Sequence, residues 1–256
     1  MAINPADFDF ISKIVREQSA IVLEKGKEYL VESRLMPLVH QEKLESLENL
    51  VRKVKSAPRG PLKDAVIEAM TTNETSFYRD IHPFETLKNA ILPELIEKRK
   101  TQKELSIWCG ASSSGQEPYS LSIMINEAIP DLEGWKIKIF ATDASESKVH
   151  RGRQGVFTDR EINRGMPVGL IEKSFDRQEQ SWQLLSKHRD MVSFQRADIH
   201  GDFKRLPICD IIYMRGVLLY MAGEMKNEIL AKVRKRLAPG GCLLIGRGEA
   251  SLAGTG

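Results

Sequence analysis

The sequence predicts a doubly wound α/β sheet, preceded by a small all-α domain and carrying a small antiparallel β insertion. Three observations lead there. Up to about residue 70 apolar residues recur at helical spacing, with no strand pattern. From Leu105 onward, short apolar runs alternate with helical stretches. The first of these units, ELSIWCGASSSGQEPYSLSIMINEAI followed by KIKIFATD, reads strand, small-residue turn, helix, second strand and a terminal acid.

The helical part begins with Phe8, Ile11, Ile14 and Val15, then Ile21 and Val22, and continues through Tyr29, Leu30, Leu35, Leu38 and Val39. Leu44, Leu47, Leu50, Val51 and Val54 carry the same spacing to a break at Pro58, Gly60 and Pro61, before a last helix over 62–70. The domain division is expected at residue 70, with 1–70 helical and 71–256 α/β. Residues 73–80 form a polar joint and 84–97 a helix. Strands are expected over 106–109, 137–141, 210–214 and 242–245, the last two separated by a helix over 224–237. That helix closes on APGG, a stop signal before the next strand. Partial alternation in SFDRQEQSWQLLSKHRDMVSF places the antiparallel insertion at about 175–196. Right-handed crossovers bring the C-terminal strand ends to one edge, with Gly110, Asp143 and Arg215 on it.

Composition excludes more than it selects. A chain of 256 residues with 41% apolar and 29% charged content is an ordinary globular composition. It has no run approaching the roughly 18 apolar residues of a membrane span, so no membrane insertion is expected. MAINPADFDF lacks the charged and apolar regions of a signal peptide. Cys109, Cys209 and Cys242 are odd in number and far apart, which fits buried thiols in a cytoplasmic protein better than a metal site. His82, His150, His188 and His200 form no ligand spacing, so no metal is expected. A net charge of +3 gives no case for nucleic acid. The segment 34–59 leans basic and suits either an acidic partner or a solvated helix face.

The unit from Leu105 to Asp143 carries the chemistry. Small residues from Gly110 to Gly115 let backbone approach a ligand at a helix N-terminus, and Asp143 can take two ribose hydroxyls. The turn lacks the GxGxxG spacing of a dinucleotide site, and its helix opens with Glu117. A carboxylate there repels a pyrophosphate and suits an ammonium group. S-adenosylmethionine has a ribose, an α-ammonium, a sulfonium and no phosphate. The bland alternative is a βαβ turn that binds nothing.

Five segments then carry a resemblance: MTTNETSFYRD (70–80), SSSGQEPYS (112–120), ATD (141–143), DIIYMRGVLLYM (210–221) and LAPGG (237–241). In this order and at these distances the chain resembles the CheR-type chemotaxis receptor methyltransferases over nearly its whole length. The resemblance implies transfer of a methyl group from S-adenosylmethionine to receptor glutamates, by a class I methyltransferase-like domain behind a helical domain. It implies that Asn73, Thr75 and Arg79 line the cofactor pocket with Gly110, Ala111, Met214 and Arg215. Glu117 would hold the ammonium and Asp143 the ribose, with Asp198 and Ile199 near the adenine. Arg79 and Tyr220 are the catalytic candidates, Arg79 orienting the acceptor carboxylate and Tyr220 shaping the methyl pocket. Tyr220 also has a plain core reading, Asn73 and Thr75 a helix-capping one, and Arg79 a surface-pair one.

Departures from the family pattern are Gly216 for Asn, Gln116 for Glu and Asp198 for Asn. They keep open a catalytically weak homologue that binds cofactor and acts as a signalling scaffold. The insertion has no glycine between Gly169 and Gly201, so the loop with which some relatives grip a receptor tail peptide is expected to be missing. The expected partner is the cytoplasmic helical region of chemoreceptors, met by Arg52, Lys53, Lys55 and Arg59. Relatives also continue into another strand pair beyond the position of Gly256.

Overall fold

The computed structural model describes residues 3–19, 21–57, 59–71, 75–129, 133–221, 223–246 and 249. The chain folds as two units, Met1–Asn73 with Leu218–Lys226, and Glu74–Val217 with Asn227–Gly256.

The first unit is built on α1 (Pro5–Ser19), α2 (Glu28–Gln41), α3 (Leu47–Ser56) and α4 (Pro61–Met70). Each helix turns one apolar stripe inward, and Ile11, Val15, Val31, Leu35, Leu50, Val51 and Val66 are sealed in one core. The Ser46 hydroxyl accepts the Asn49 N–H at 3.2 Å and so fixes the start of α3. Pro61 opens α4, where its missing N–H costs nothing. An isolated antiparallel bridge between Ile21 and Met221 attaches the later segment. The helical spacing alone gave no sign of it.

The second unit opens with α5 (Ile81–Thr86), which runs through a π-helical turn (Leu87–Ile91) into α6 (Leu92–Arg99). Then follow β1 (Glu104–Gly110), α7 (Gln116–Ala128), β2 (Lys136–Asp143), α8 (Glu146–Gln154) and β3 (Val156–Phe157). Next come α9 (Asp159–Asn163), α10 (Val168–Ser174), β4 (Phe175–Arg177), β5 (Trp182–Leu184), α11 (Ser186–Arg189) and β6 (Val192–Arg196). After β7 (Cys209–Met214), α12 (Gly223–Arg234) leads to β8 (Leu237–Ile245). The main sheet has the order β6-β2-β1-β7-β8, and all its neighbours pair parallel. All six residues of β7 are buried, as a central parallel strand covered on both faces requires. The first ten residues of α7 are buried too, which seals the helix that carries Glu117.

Two expectations are corrected. The antiparallel sheet, of order β3-β5-β4, takes in Val156–Phe157, while residues 192–196 leave the expected 175–196 insertion to become the parallel edge strand β6. Only Phe194 of β6 is buried, and that one-sided burial gives an edge strand the alternation of an antiparallel one. The helix expected over 224–237 ends at Arg234, and APGG lies inside β8. There the pairing with β7 shifts register between Cys209 and Ile211, so the two glycines serve a bulge. A Cβ on Gly241 would sit 2.7 Å from the Asp210 carbonyl oxygen. Among the described residues no helix is long and apolar enough to cross a membrane, and no His, Cys, Asp and Glu group could hold a metal.

Candidate active site

Parallel pairing puts the ends of β1, β2, β6 and β7 on one edge: Gly110 lies opposite Thr142, and Asp143 opposite Arg196. The turn after β1 is tight, with positive φ at Ala111 (52°), Ser113 (47°) and Gly115 (99°). A Cβ on Gly115 would lie 3.0 Å from the rings of Phe194 and Tyr119. This turn directs its amides at the protein. Ser112 N–H donates to Thr142 O at 2.9 Å, Gly115 N–H to Ser112 O at 3.1 Å, and Ser113 N–H to Asp143 Oδ2 at 2.8 Å. Ser145 N–H donates to the other Asp143 oxygen at 3.0 Å. Amides already engaged in this way cannot cradle a phosphate. An ionised carboxylate offers about four lone-pair sites, more than these two amides use.

Glu117, the second residue of α7, is buried and lies 3.4 Å from Arg215 Nη1. Arg215, also buried, is stretched among several partners. Its Nη2 donates to Asp80 Oδ2 at 2.6 Å, and its Nη1 to Arg79 O at 2.8 Å and to Tyr213 Oη at 3.1 Å. Burial pushes the Glu117 carboxyl up to about 7; Arg215 and Arg79 oppose the rise, and Asp80 and Glu249 add to it. A carboxylate so poorly compensated gains from an incoming cation.

Ser112 Oγ, Ser113 Oγ and Arg215 Nε are buried without any hydrogen-bond partner. Such atoms are uncommon in folded proteins. With two carboxylates at one sheet edge, they form a donor and acceptor set that fits S-adenosylmethionine: hydroxyl-bonding groups beside Asp143, an anion at Glu117 and no phosphate cradle.

The remaining expected residues distribute as follows. Gly110 ends β1 against Met214, whose Cε would lie 2.6 Å from an added Cβ. Asp198 and half-buried Ile199 follow β6 on the same edge, and the Ala197 N–H donates to Asp143 O at 2.9 Å. Asp198 is exposed and spends Oδ1 on the His200 N–H at 2.9 Å. Thr75 and Arg79 line a hollow of about 320 Å³. Asn73 and the Tyr220 side chain lie outside the described residues. Lys53 and Lys55 are paired with Glu42 (3.8 Å) and Asp7 (2.6 Å) within the helical unit.

Sequence reading missed three features. The serines of the turn were read as small residues, not as hydroxyls. Asp80 was read as a polar joint, not as the partner of Arg215. Glu249 is fully buried and accepts the N–H groups of Gly216 (3.0 Å), Val217 (2.8 Å) and Gly246 (2.5 Å). No local signal marks it, because two of these donors lie more than thirty positions away.

The family model for the CheR methyltransferase SAM binding domain matches residues 73–254, and that for the CheR methyltransferase all-alpha domain matches 6–71. The chain is similar to chemotaxis protein methyltransferase Cher2 of Pseudomonas putida, at 36% identity over 98% of this chain and 92% of that protein. It is also similar to chemotaxis protein methyltransferase 1 of Pseudomonas aeruginosa, at 37% identity with the same coverage. Among solved structures, the glycopeptide N-methyltransferase MtfA with S-adenosyl-L-methionine is a loose match, with TM-score 0.36 and 14% identity over 73% of this chain and 60% of that one.

Proposed function

Since the chain belongs to the CheR methyltransferase family, with S-adenosylmethionine as its cofactor, we propose that it methylates glutamate side chains of chemotaxis receptors. The observation that carries this reading is the pair Asp143 and Glu117 on one sheet edge, one hydrogen-bonded to backbone and the other short of positive charge. When bound, the cofactor supplies an electrophilic methyl group on its sulfonium.

The chain's own residues have few tasks. Asp143 takes the ribose hydroxyls and Glu117 the α-ammonium, while Asp198 and Ile199 flank the adenine. Gly110 and Ala111 let backbone approach, Met214 lines the pocket from the end of β7, and Arg215 keeps Glu117 partly ionised. Asn73 and Thr75 line the cofactor pocket. A glutamate acceptor, with an unperturbed pKa of about 4.3, is ionised at neutral pH and needs no general base. Alignment of oxygen, carbon and sulfur therefore carries the rate, and positioning of this kind is worth up to roughly 7–11 kcal/mol. Arg79 orients the acceptor carboxylate through its planar guanidinium. Tyr220 shapes the pocket around the methyl group.

The domain boundary in this reading falls at residue 70, the enzyme is cytoplasmic, and no receptor tail peptide is needed. Arg52, Lys53, Lys55 and Arg59 meet the acidic receptor helix; Arg52 and Arg59 contribute most, because the two lysines already have acidic neighbours. The test is release of base-labile methyl label from receptor-containing membranes. Label on glutamates is the expected result. Binding of S-adenosylhomocysteine without label would make the protein a signalling scaffold instead. Micromolar heats with a receptor tail peptide would remove the tail-independent part.

A further inference from the structure

A hollow of about 510 Å³ in the second unit shares no residue with the cofactor site. His200, Asp202 and Lys204 line it from the segment between β6 and β7; Lys232, Lys235 and Arg236 line it from the end of α12 and the turn beyond. Arg236 stands just before β8, and its carbonyl accepts the Cys209 N–H at 2.8 Å where β7 begins. Gly110, Asp143 and Met214 stand at the other ends of their strands.

Four cations face one acid here. Asp202 is already engaged: its Oδ1 accepts the Lys204 N–H at 2.9 Å and its Oδ2 lies 3.2 Å from Lys204 Nζ. The backbone bond foremost, then the Lys204 side chain and Arg236, hold this carboxyl below its ordinary value. The other three cations have no acid at ion-pair distance among the described residues. Lys232 Nζ donates to His200 O at 2.9 Å, Arg236 Nη1 donates to Leu206 O at 3.2 Å, and Lys235 is exposed.

Basic residues at a helix end have a plain reading, since they complement the helix dipole. Lys232 and Arg236 act differently. Their side chains cross to carbonyls about thirty positions back in sequence, which fixes both around the hollow. A carbonyl brings no net charge, so the repulsion among the cations stays uncompensated. Both His200 ring nitrogens are also buried without a hydrogen-bond partner, a mark of a site that lacks its ligand.

Charge density selects that ligand. Linked phosphates concentrate several negative charges in a small volume, whereas the carboxylates of a peptide are spread along it. Ammonium groups bind phosphate as point charges. Phe203, on the same wall, is buried edge-on against Trp108 with ring centroids 4.8 Å apart, so its face is closed to a nucleobase. Independently of the methylation reading, we propose that this hollow binds an oligophosphate, two or three linked phosphates either free or as the tail of a nucleotide.

The test is calorimetric titration of the full chain with sodium tripolyphosphate at low salt, with and without saturating S-adenosylhomocysteine. One tripolyphosphate per protein is expected, undisplaced by S-adenosylhomocysteine. Lys235→Gln and Lys232→Gln should each weaken it roughly three- to tenfold, the scale of one hydrogen bond. K235Q should keep the wild-type melting temperature, because its side chain holds nothing in place. Lys88→Gln removes the same charge from an exposed position elsewhere in the unit and should leave binding unchanged. ATP separates the two sources: binding as tight as tripolyphosphate admits a nucleotide's tail, and failure to bind confines the site to free oligophosphate, either result supporting it. No binding of tripolyphosphate, its displacement by S-adenosylhomocysteine, an equal loss in K88Q, or equally tight binding of a hexaglutamate peptide overturns the inference.

Discussion

Asp143 and Glu117 stand on the same edge of one sheet in opposite surroundings. Asp143 is tied to the backbone, with the Ser113 and Ser145 amides donating one to each oxygen at 2.8 and 3.0 Å. Glu117 is sealed in, and its cationic neighbour Arg215 gives a shorter contact to Asp80 (2.6 Å) than to it (3.4 Å). The first carboxylate therefore holds the turn in shape before any ligand arrives. The second is a buried charge that the fold leaves short of compensation, which makes it a binding determinant. Nearness to a ligand does not give two acids one role.

Substitutions should separate the two roles. Glu117→Gln is expected to weaken S-adenosylhomocysteine binding by roughly a hundredfold, the loss of a buried charge-assisted contact. The melting temperature of the ligand-free protein should hold or rise, since an undercompensated charge is removed. Asp143→Asn should lower both quantities, because an amide has one acceptor oxygen where two amides now donate. The stability loss is expected at about 1–3 kcal/mol, read as a lower denaturant midpoint. If D143N melts as wild type does, or if E117Q melts far below it, the distinction between the two acids collapses.

The pH dependence sharpens the same contrast. The Glu117 pKa of about 7 in the folded state lies above its unfolded value of about 4.3. Between those values the folded state keeps a proton that the unfolded state has lost. The stabilisation from this group is therefore fully present below about pH 4.3 and is lost as pH rises through about 7. Cofactor affinity runs the other way, since an ammonium favours the ionised carboxylate. It is expected to weaken by up to about tenfold per pH unit as pH falls below 7, and to be flatter in E117Q.

Smaller effects are expected from the helical unit. Reversing Arg52 or Arg59 to Glu should raise the receptor KM a few-fold, with the difference fading at high salt. Reversing Lys55 should instead cost some stability, because Asp7 would lose its partner at 2.6 Å.

Much of this arrangement was legible in the sequence. The apolar stretches of β1, β2, β7 and β8 alternate with helical ones, which is the pattern of a parallel sheet, and Glu117 and Asp143 stand at fixed places relative to two of them. Strand β6 was harder to read, because an edge strand buried on one side looks like part of an antiparallel hairpin. At two residues, β3 is too short to show a period. The APGG stretch carries turn residues for a bulge, and turn chemistry does not distinguish a bulge from a stop. Glu249 and the Arg215–Asp80 pair depend on contacts between distant segments, and no local pattern encodes those.

The most direct test of the paired carboxylates is calorimetry of S-adenosylhomocysteine binding to wild type and Glu117→Gln, run at pH 6 and pH 8 in buffers of different ionisation enthalpy. Wild type should release about one proton per site at pH 6 and almost none at pH 8, and the variant should bind far more weakly with no proton release at either pH. Equal affinities, or the same proton count in both proteins, would contradict the assignment of Glu117 to the cofactor's ammonium.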